Sequence, residues 1–256
     1  HASGVRSDAR KGAMEERDLF GQPLSNASSK TAARSGAGLE PLADRMRPEA
    51  LDDFVGQEES LGPTSFLRMA IDHDEVPSLI LWGPAGCGKT SLARVISQTT
   101  RARFVPFSAV LSGVKEVREI VAEASRLWRM DQRQTILFVD EIHRFNKAQQ
   151  DAFLPHVEAG TITLIGATTE NPFFEVTSPL LSRCRVVRFV PLSSDALVAL
   201  AHRALKDPMR GLGNRAMTVP DESLRIMARL ADGDGRRMLN LLEAAVEHAV
   251  RKHQTT

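Results

Sequence analysis

The chain has 256 residues, 42% of them hydrophobic and 25% charged, which is the composition of a globular protein with a buried core. Its 33 Lys and Arg residues nearly balance 32 Asp and Glu residues, so the net charge of +1 excludes a global attraction to nucleic acid or membrane. Two distant cysteines without a CxxC or Cys/His cluster, and no apolar run near the ~18 residues that cross a bilayer, predict no zinc, no disulfide framework and no membrane span.

The N-terminal segment, residues 1–38, is rich in Ser, Ala, Gly, Lys and Arg, and its apolar residues are too few to offset chain entropy. We predict a disordered tail there. Residue 1 is His, and the first plausible translation start is Met14. Nothing in the segment has the apolar core of a signal peptide, so we expect an intracellular protein, in the cytoplasm or nucleoid of a bacterium or in a eukaryotic nucleus.

Beyond Pro41, short apolar runs alternate with amphipathic stretches, which predicts a parallel α/β sheet with helices on both faces. The runs expected to be strands are SLILW at 78–82, ARFVPF at 102–107, TILFV at 135–139, ITLIGA at 162–167 and VVRFV at 186–190. The helices expected between them are Lys89–Thr99, Val114–Leu127 and Lys147–Glu158.

Single residues refine these elements. Pro106 cannot donate to a central ladder, so the second strand should lie at a sheet edge. Asn146 and Gln149 form a capping box that starts the third helix, and Pro155 should kink or end it.

After residue 193 the strand signals stop, and helical patterns follow at Asp195–Leu205, Asp221–Leu230 and Arg236–Lys252. We therefore predict an α/β nucleotide-binding domain over 39–192 and a small helical lid domain over 193–256.

Residues 83–90, GPAGCGKT, satisfy the GxxxxGK[ST] pattern between an apolar strand and a helix. Glycines let backbone N–H groups approach phosphate oxygens, so the motif predicts an ATP site. Lys89 is expected on the β and γ phosphates and the Thr90 hydroxyl on Mg²⁺. The alternative is a glycine-rich turn without a ligand. The residues expected to bind the nucleotide are Gly83, Pro84, Ala85, Gly86, Cys87, Gly88, Lys89, Thr90 and Ser91.

The third apolar run ends in Asp140 and Glu141, where parallel sheets bind ligands. This Walker B pattern predicts that Asp140 holds Mg²⁺ and that Glu141 orients and deprotonates the attacking water. The alternative is a solvated strand end.

Together, these motifs and the α/β-then-helical layout resemble AAA+ ATPases. The resemblance implies three further site residues. Thr169, in preference to Thr168, would be sensor 1. Arg183, in the string SRC, would be an arginine finger for a neighbouring subunit, although a structural arginine paired with a carboxylate is the alternative. Arg236, with Arg237 as its rival, would be sensor 2.

The same resemblance implies smaller roles. Val55 and Gly56 would contact the nucleotide, and Ser108 would be a polar switch for Glu141. We expect Trp82 to be a strand-end aromatic residue. We expect His143, Arg144 and Lys147 to form a solvent-exposed helix start, unless Arg144 and Lys147 touch a phosphate backbone.

The strings HRFNKAQQDAFLPHVEAGTITLIGATTENPFFEV at 143–176 and PLADRMRP at 41–48 are similar to the replication-associated recombination protein A and Werner-helicase-interacting protein family. This implies a sheet order of 5-1-4-3-2 and an ATPase that acts on single-stranded or forked DNA at stalled or gapped forks. It also implies a homo-oligomer and replication partners such as single-strand-binding protein or a polymerase. The family's C-terminal assembly domain is expected to be missing, and ubiquitin is not an expected partner.

Two other classes of function remain open. One is an ATP-gated scaffold that hardly hydrolyses. The other is a clamp-loader subunit or a Holliday-junction motor, which shares the nucleotide motifs but does not resemble the NKAQQDAFLPHVE and ENPFFEV blocks.

Overall fold

The structure is a computed structural model that describes residues 40–108, 114–215 and 217–254. The predicted disordered tail lies outside these residues. The strands are β1 (Leu79–Trp82), β2 (Arg103–Ser108), β3 (Thr135–Asp140), β4 (Thr163–Thr168) and β5 (Arg185–Arg188). They form one parallel sheet in the order β2-β3-β4-β1-β5, which confirms the predicted order read from the opposite edge.

Helices precede, separate and follow the strands. Those before β1 are α1 (Leu42–Arg45), α2 (Glu58–Leu61) and α3 (Phe66–Asp72). Those between strands are α4 (Lys89–Thr99), α5 (Val114–Asp131), α6 (Lys147–Glu158), α7 (Pro172–Glu175) and α8 (Ser178–Leu181). The last three are α9 (Ser194–Lys206), α10 (Asp221–Ala231) and α11 (Gly235–Gln254). None of the helices in the described ranges is long and apolar enough to cross a membrane.

The sheet is covered on both faces, as predicted, because neighbouring residues of a strand point in opposite directions. In β1, Leu79 and Leu81 join a core with Leu92 and Ile96 of α4. Ile80 joins a second core with residues of α5 and α6. This burial on both sides explains the continuous apolar runs of the central strands.

β2 pairs with β3 alone among the described strands, and Pro106 lies opposite Phe138. The edge position predicted from Pro106 is therefore confirmed.

The last three helices form a third core, which includes Leu224, Met238 and Leu242. Leu42 and Met46, near the start of the described chain, pack into this core. The Glu243 side chain of α11 holds them there by accepting the backbone N–H of Leu42 at 3.0 Å. The domain boundary at residue 193 stays a prediction.

Two of the predictions concern α6. The capping box of α6 is confirmed, since Asn146 and Gln149 each accept the other's backbone N–H. The helix does not end at Pro155 but continues to Glu158, and Pro155 O accepts the N–H of Ala159. A proline this close to the C-terminus removes one helical hydrogen bond, which the rest of the helix tolerates.

Candidate active site

The loop between β1 and α4 holds a buried lysine. Lys89 is 8% exposed, and its Nζ donates to the carbonyl oxygens of Gly83 and Pro84, at 2.7 Å each. Within the described residues no carboxylate forms an ion pair with it. A buried ammonium without a counter-charge is costly, and a phosphate oxygen would supply that charge. The residues present therefore fit an anionic ligand.

Two glycines of this loop have left-handed backbones. Gly88, at φ +107°, lies so that a Cβ would be 3.0 Å from the Phe54 ring. Gly86, at φ +68°, lies against the carboxylate of Asp234, which a Cβ would overlap. The backbone N–H of Gly235 also donates to Gly86 O at 3.2 Å. The start of α11 is thus joined directly to the loop.

Cys87 is the loop's other buried side chain. Its Sγ donates to Pro84 O at 2.9 Å, and burial raises the pKa of the thiol despite the opposing charge of Lys89. The thiol therefore stays protonated and acts here as a small buried group.

The two residues expected to hold Mg²⁺ lie together. Thr90 Oγ1 donates to Asp140 Oδ2 at 3.3 Å, so two hard oxygen atoms meet where α4 begins and β3 ends. Magnesium prefers such ligands and keeps several waters or phosphate oxygens. The described residues contain no group of three or more His, Cys, Asp or Glu side chains able to hold a metal, and that is compatible with a metal bound partly through its substrate.

An open cleft lies beside the loop. It contains several of the residues predicted to bind the nucleotide, namely Val55, Gly86, Cys87, Gly88, Lys89, Thr90, Ser91 and Arg236. It does not contain Gly56, Gly83, Pro84 or Ala85. Gly56 instead packs near Leu192, and Gly83 donates its N–H to Thr168 O at 3.2 Å.

The sequence reasoning missed one wall of the cleft, formed by the segment around α1. Ala43, Met46, Arg47 and Pro48 line it, and Leu239 of α11 also lines the cleft. Arg47 also pairs with Asp44. The string PLADRMRP, noted only as a family resemblance, contains these residues and was the available signal.

The end of β3 brings Glu141 next to a histidine. Glu141 Oε2 lies 3.2 Å from Nδ1 of His143, and the same nitrogen lies 3.0 Å from Thr168 Oγ1. The expectation that His143 is solvent-exposed is wrong, since its side chain is only 18% exposed. Thr168 is buried, whereas Thr169 is exposed, so the threonine that contacts this group is Thr168.

Three other predicted residues lie as follows. Arg183 is outside the cleft, where it forms an ion pair with Glu158 and donates to Pro179 O at 2.8 Å. Glu158 is therefore the carboxylate partner that the alternative, a structural role for Arg183, requires. Arg236 lines the cleft and Arg237 does not. Ser108 ends β2, and its side chain is outside the described part of the chain.

Trp82, at the end of β1, contacts an arginine side chain. The guanidinium of Arg188 lies 5.7 Å from the centre of its ring, a cation–π distance. Arg144 and Lys147 are exposed, as expected.

Residues 79–192 match the family model of the ATPase family associated with various cellular activities, AAA. Replication-associated recombination protein A of Escherichia coli K12 is 51% identical over 211 residues, which are 82% of this chain and 47% of that protein. The Coxiella burnetii protein of the same name is 50% identical over 213 residues, 83% of this chain and 48% of that protein. ATPase WRNIP1 of Dictyostelium discoideum is 42% identical over 216 residues, 84% of this chain and 24% of that protein.

Among solved structures, the Thermotoga maritima RuvB Holliday junction branch migration motor superimposes with a TM-score of 0.64 at 27% identity. The match covers 78% of this chain and 64% of that one. Fold and motifs together define an AAA ATPase. Residues 79–192 form a domain of this family, and the chain is similar in sequence to replication-associated recombination protein A and WRNIP1. It spans about half the length of the bacterial relatives.

Proposed function

We propose that this chain binds ATP in the cleft beside the loop 83–90 and hydrolyses it. The observation that carries the proposal is the buried ammonium of Lys89, held by two carbonyl oxygens and without a carboxylate partner among the described residues. A group of this kind is stabilised by an anion, and the glycine-rich loop before a helix favours phosphate.

Each polar residue of the site has a distinct role. Thr90 and Asp140 would hold a Mg²⁺ ion, which neutralises phosphate charge when bound. Glu141 orients the attacking water and takes its proton. Arg236 contacts the phosphates from α11, and Thr169 reads the γ phosphate or the water. Val55 and the apolar residues near α1 enclose the base, since nucleotide pockets are largely apolar with a few polar anchors.

The whole protein acts on DNA in replication-associated recombination, at stalled or gapped forks. The names of relatives at about 50% identity support this proposal. We further infer a homo-oligomer in which Arg183 serves the ATP of the neighbouring subunit. Single-strand-binding protein or a polymerase is the expected partner, and an intracellular location goes with that work.

The likeness to a Holliday junction motor supports a second candidate, a branch-migration role. Its 27% identity is about half that of the recombination-protein relatives, so we rank it second.

Steady-state ATP hydrolysis with single-stranded, duplex and forked DNA tests the proposal. We expect turnover that rises with single-stranded or forked DNA and with protein concentration. The DNA effect should weaken as salt increases, because phosphate contacts release counterions. Turnover that is the same with and without every DNA would contradict the DNA role and favour an ATP-gated scaffold.

Two variants test the shared site. Lys89→Ala and Arg183→Ala should each be inactive, but their mixture should regain activity, since one supplies the arginine and the other an intact ATP site. A trans arginine is worth about 10³ to 10⁵ in turnover. A mixture as inactive as its components would contradict the role of Arg183 in trans.

A further inference from the structure

We propose that His143 is a positioning residue that holds the Glu141 carboxylate and couples it to the buried hydroxyl of Thr168. The proposal rests on the proposed function, because it concerns how Glu141 is aimed during ATP hydrolysis. None of the nucleotide-binding motifs assigns a role to His143.

One ring nitrogen joins two neighbouring strands. His143 Nδ1 lies 3.2 Å from Glu141 Oε2, just beyond β3, and 3.0 Å from Thr168 Oγ1, the last residue of β4. Both are hydrogen-bond distances. β3 and β4 are paired in parallel, so their carboxyl ends lie at the same edge of the sheet. The contact therefore links the proposed base to the strand end nearest the P-loop.

The nitrogen cannot satisfy both oxygens fully. The Thr168 hydroxyl donates its own hydrogen to Glu170 O, so Nδ1 must carry the hydrogen of its bond to Thr168 Oγ1. The Glu141 carboxylate, which can only accept hydrogen bonds, lies beside the same N–H. The two oxygens therefore compete for one donor, and a change at the Thr168 hydroxyl alters how firmly Glu141 is held.

The Thr168 hydroxyl is itself fully used. It accepts the backbone N–H of Glu170 at 3.0 Å and lies 3.3 Å from Glu170 O, to which it donates. A hydroxyl has one hydrogen and two lone pairs, so His143 takes the remaining position. The loss of any one of these three partners would therefore change the contact between Thr168 and His143.

The backbone of Glu141 supports the same conclusion. Its φ of +53° and ψ of 49° are left-handed, a conformation that is strained for a residue with a Cβ. Such strain persists where the surrounding structure fixes it, and it often occurs at active sites. A bend immediately after β3 brings His143 back toward the Glu141 side chain, within the 3₁₀ turn Ile142–Arg144.

Steady-state ATP hydrolysis by the whole chain tests the link. For His143→Ala we expect kcat to fall about tenfold or more, as is typical when a hydrogen bond that orients a functional group is lost. KM for ATP should change little, because the phosphate cradle is intact. His143→Asn keeps an N–H donor near the Nδ1 position and should recover most of kcat.

The matched control is His202→Ala. His202 also pairs with a carboxylate, Asp221 at 3.1 Å, but far along the chain in an exposed pair. Its kcat should equal that of the wild type. Equal kcat for His143→Ala and His202→Ala in an active enzyme would overturn the proposal and leave the proposed function intact.

Double-mutant cycles identify the threonine. Thr168→Val should couple to His143→Ala, so that the double variant is less impaired than the sum of the singles, whereas Thr169→Val should add independently. Additive effects for Thr168 and His143 would contradict the link.

A measurement that does not depend on ATP turnover distinguishes failure of the His143 proposal from failure of the proposed function. If the wild type binds nucleotide but does not hydrolyse it, the proposed function fails while the link remains decidable by NMR. The ¹⁵N shift of His143 Nδ1, assigned with His143→Asn, should move in both Glu141→Gln and Thr168→Val. A shift unchanged in both variants would overturn the proposal.

Discussion

At the scale of single residues, the site contains charged and polar side chains whose charges and hydrogen bonds are only partly matched by neighbouring residues. The Lys89 ammonium donates to two carbonyl oxygens and pairs with no carboxylate in the described part of the chain, and the Thr90 hydroxyl faces Asp140. Protein interiors seldom keep such groups without a reason, because unpaired buried charge is expensive. The location of this candidate site could be predicted because the residues of each motif, the glycine-rich loop 83–90 and the Asp140-Glu141 pair, are contiguous in sequence.

Outside the cleft, burial determines the protonation of the Cys184 thiol. Burial raises the pKa of Cys184 to about 12, so the thiol remains protonated at pH 8, and the thiolate is the reactive form. We expect the folded protein to react with iodoacetamide at Cys184 far more slowly than the urea-unfolded chain does. Peptide mass spectrometry would report the rate at each cysteine. Labelling of Cys184 at the unfolded rate under native conditions would contradict this expectation.

At the scale of elements, the contact between the P-loop and α11 has a measurable strength. Gly86→Ala would force the new Cβ into the Asp234 carboxylate and strain a φ of +68°. Gly160→Ala is the matched control, since Gly160 has a φ of +66° with nothing within 4 Å of its Cβ.

Both variants carry the left-handed cost of about 1 to 2 kcal/mol, and only Gly86→Ala adds the collision. We expect Gly86→Ala to lower the free energy of unfolding more than Gly160→Ala does, measured by urea denaturation with the m-values compared. Equal losses for the two would mean that Asp234 moves aside freely and that the contact is weak.

The elements that were predicted depend on residues close together in sequence, whereas those that were missed depend on contacts between residues far apart in sequence. The apolar runs and the edge position of Pro106 follow from local pattern, so β1 to β5 were predictable to within a residue or two. The wall around α1 was not, because α1 is held by residues far away in sequence, such as the Glu243 carboxylate, 201 residues from Leu42. His143 was misassigned for a similar reason: the left-handed turn at Glu141 is not evident from residue types.

At the scale of the whole molecule, the chain has the candidate nucleotide cleft and, outside it, a partly exposed arginine. Arg183 lies outside the cleft in a half-exposed pair with Glu158. Pairs of this exposure contribute little to stability, so a neighbouring subunit could take the arginine at small cost. The AAA fold thus allows a shared site, with α11 closing the cleft from the same chain.

We propose that this cleft binds ATP and that Glu141 activates the water that hydrolyses it. The most direct measurement sets ATP affinity beside turnover for the wild type, Lys89→Ala and Glu141→Gln. We expect Glu141→Gln to bind ATP as tightly as the wild type with turnover reduced about 10² to 10⁴-fold, the usual contribution of a general base, and Lys89→Ala to lose binding. Wild-type turnover in Glu141→Gln, or unchanged ATP affinity in Lys89→Ala, would contradict it.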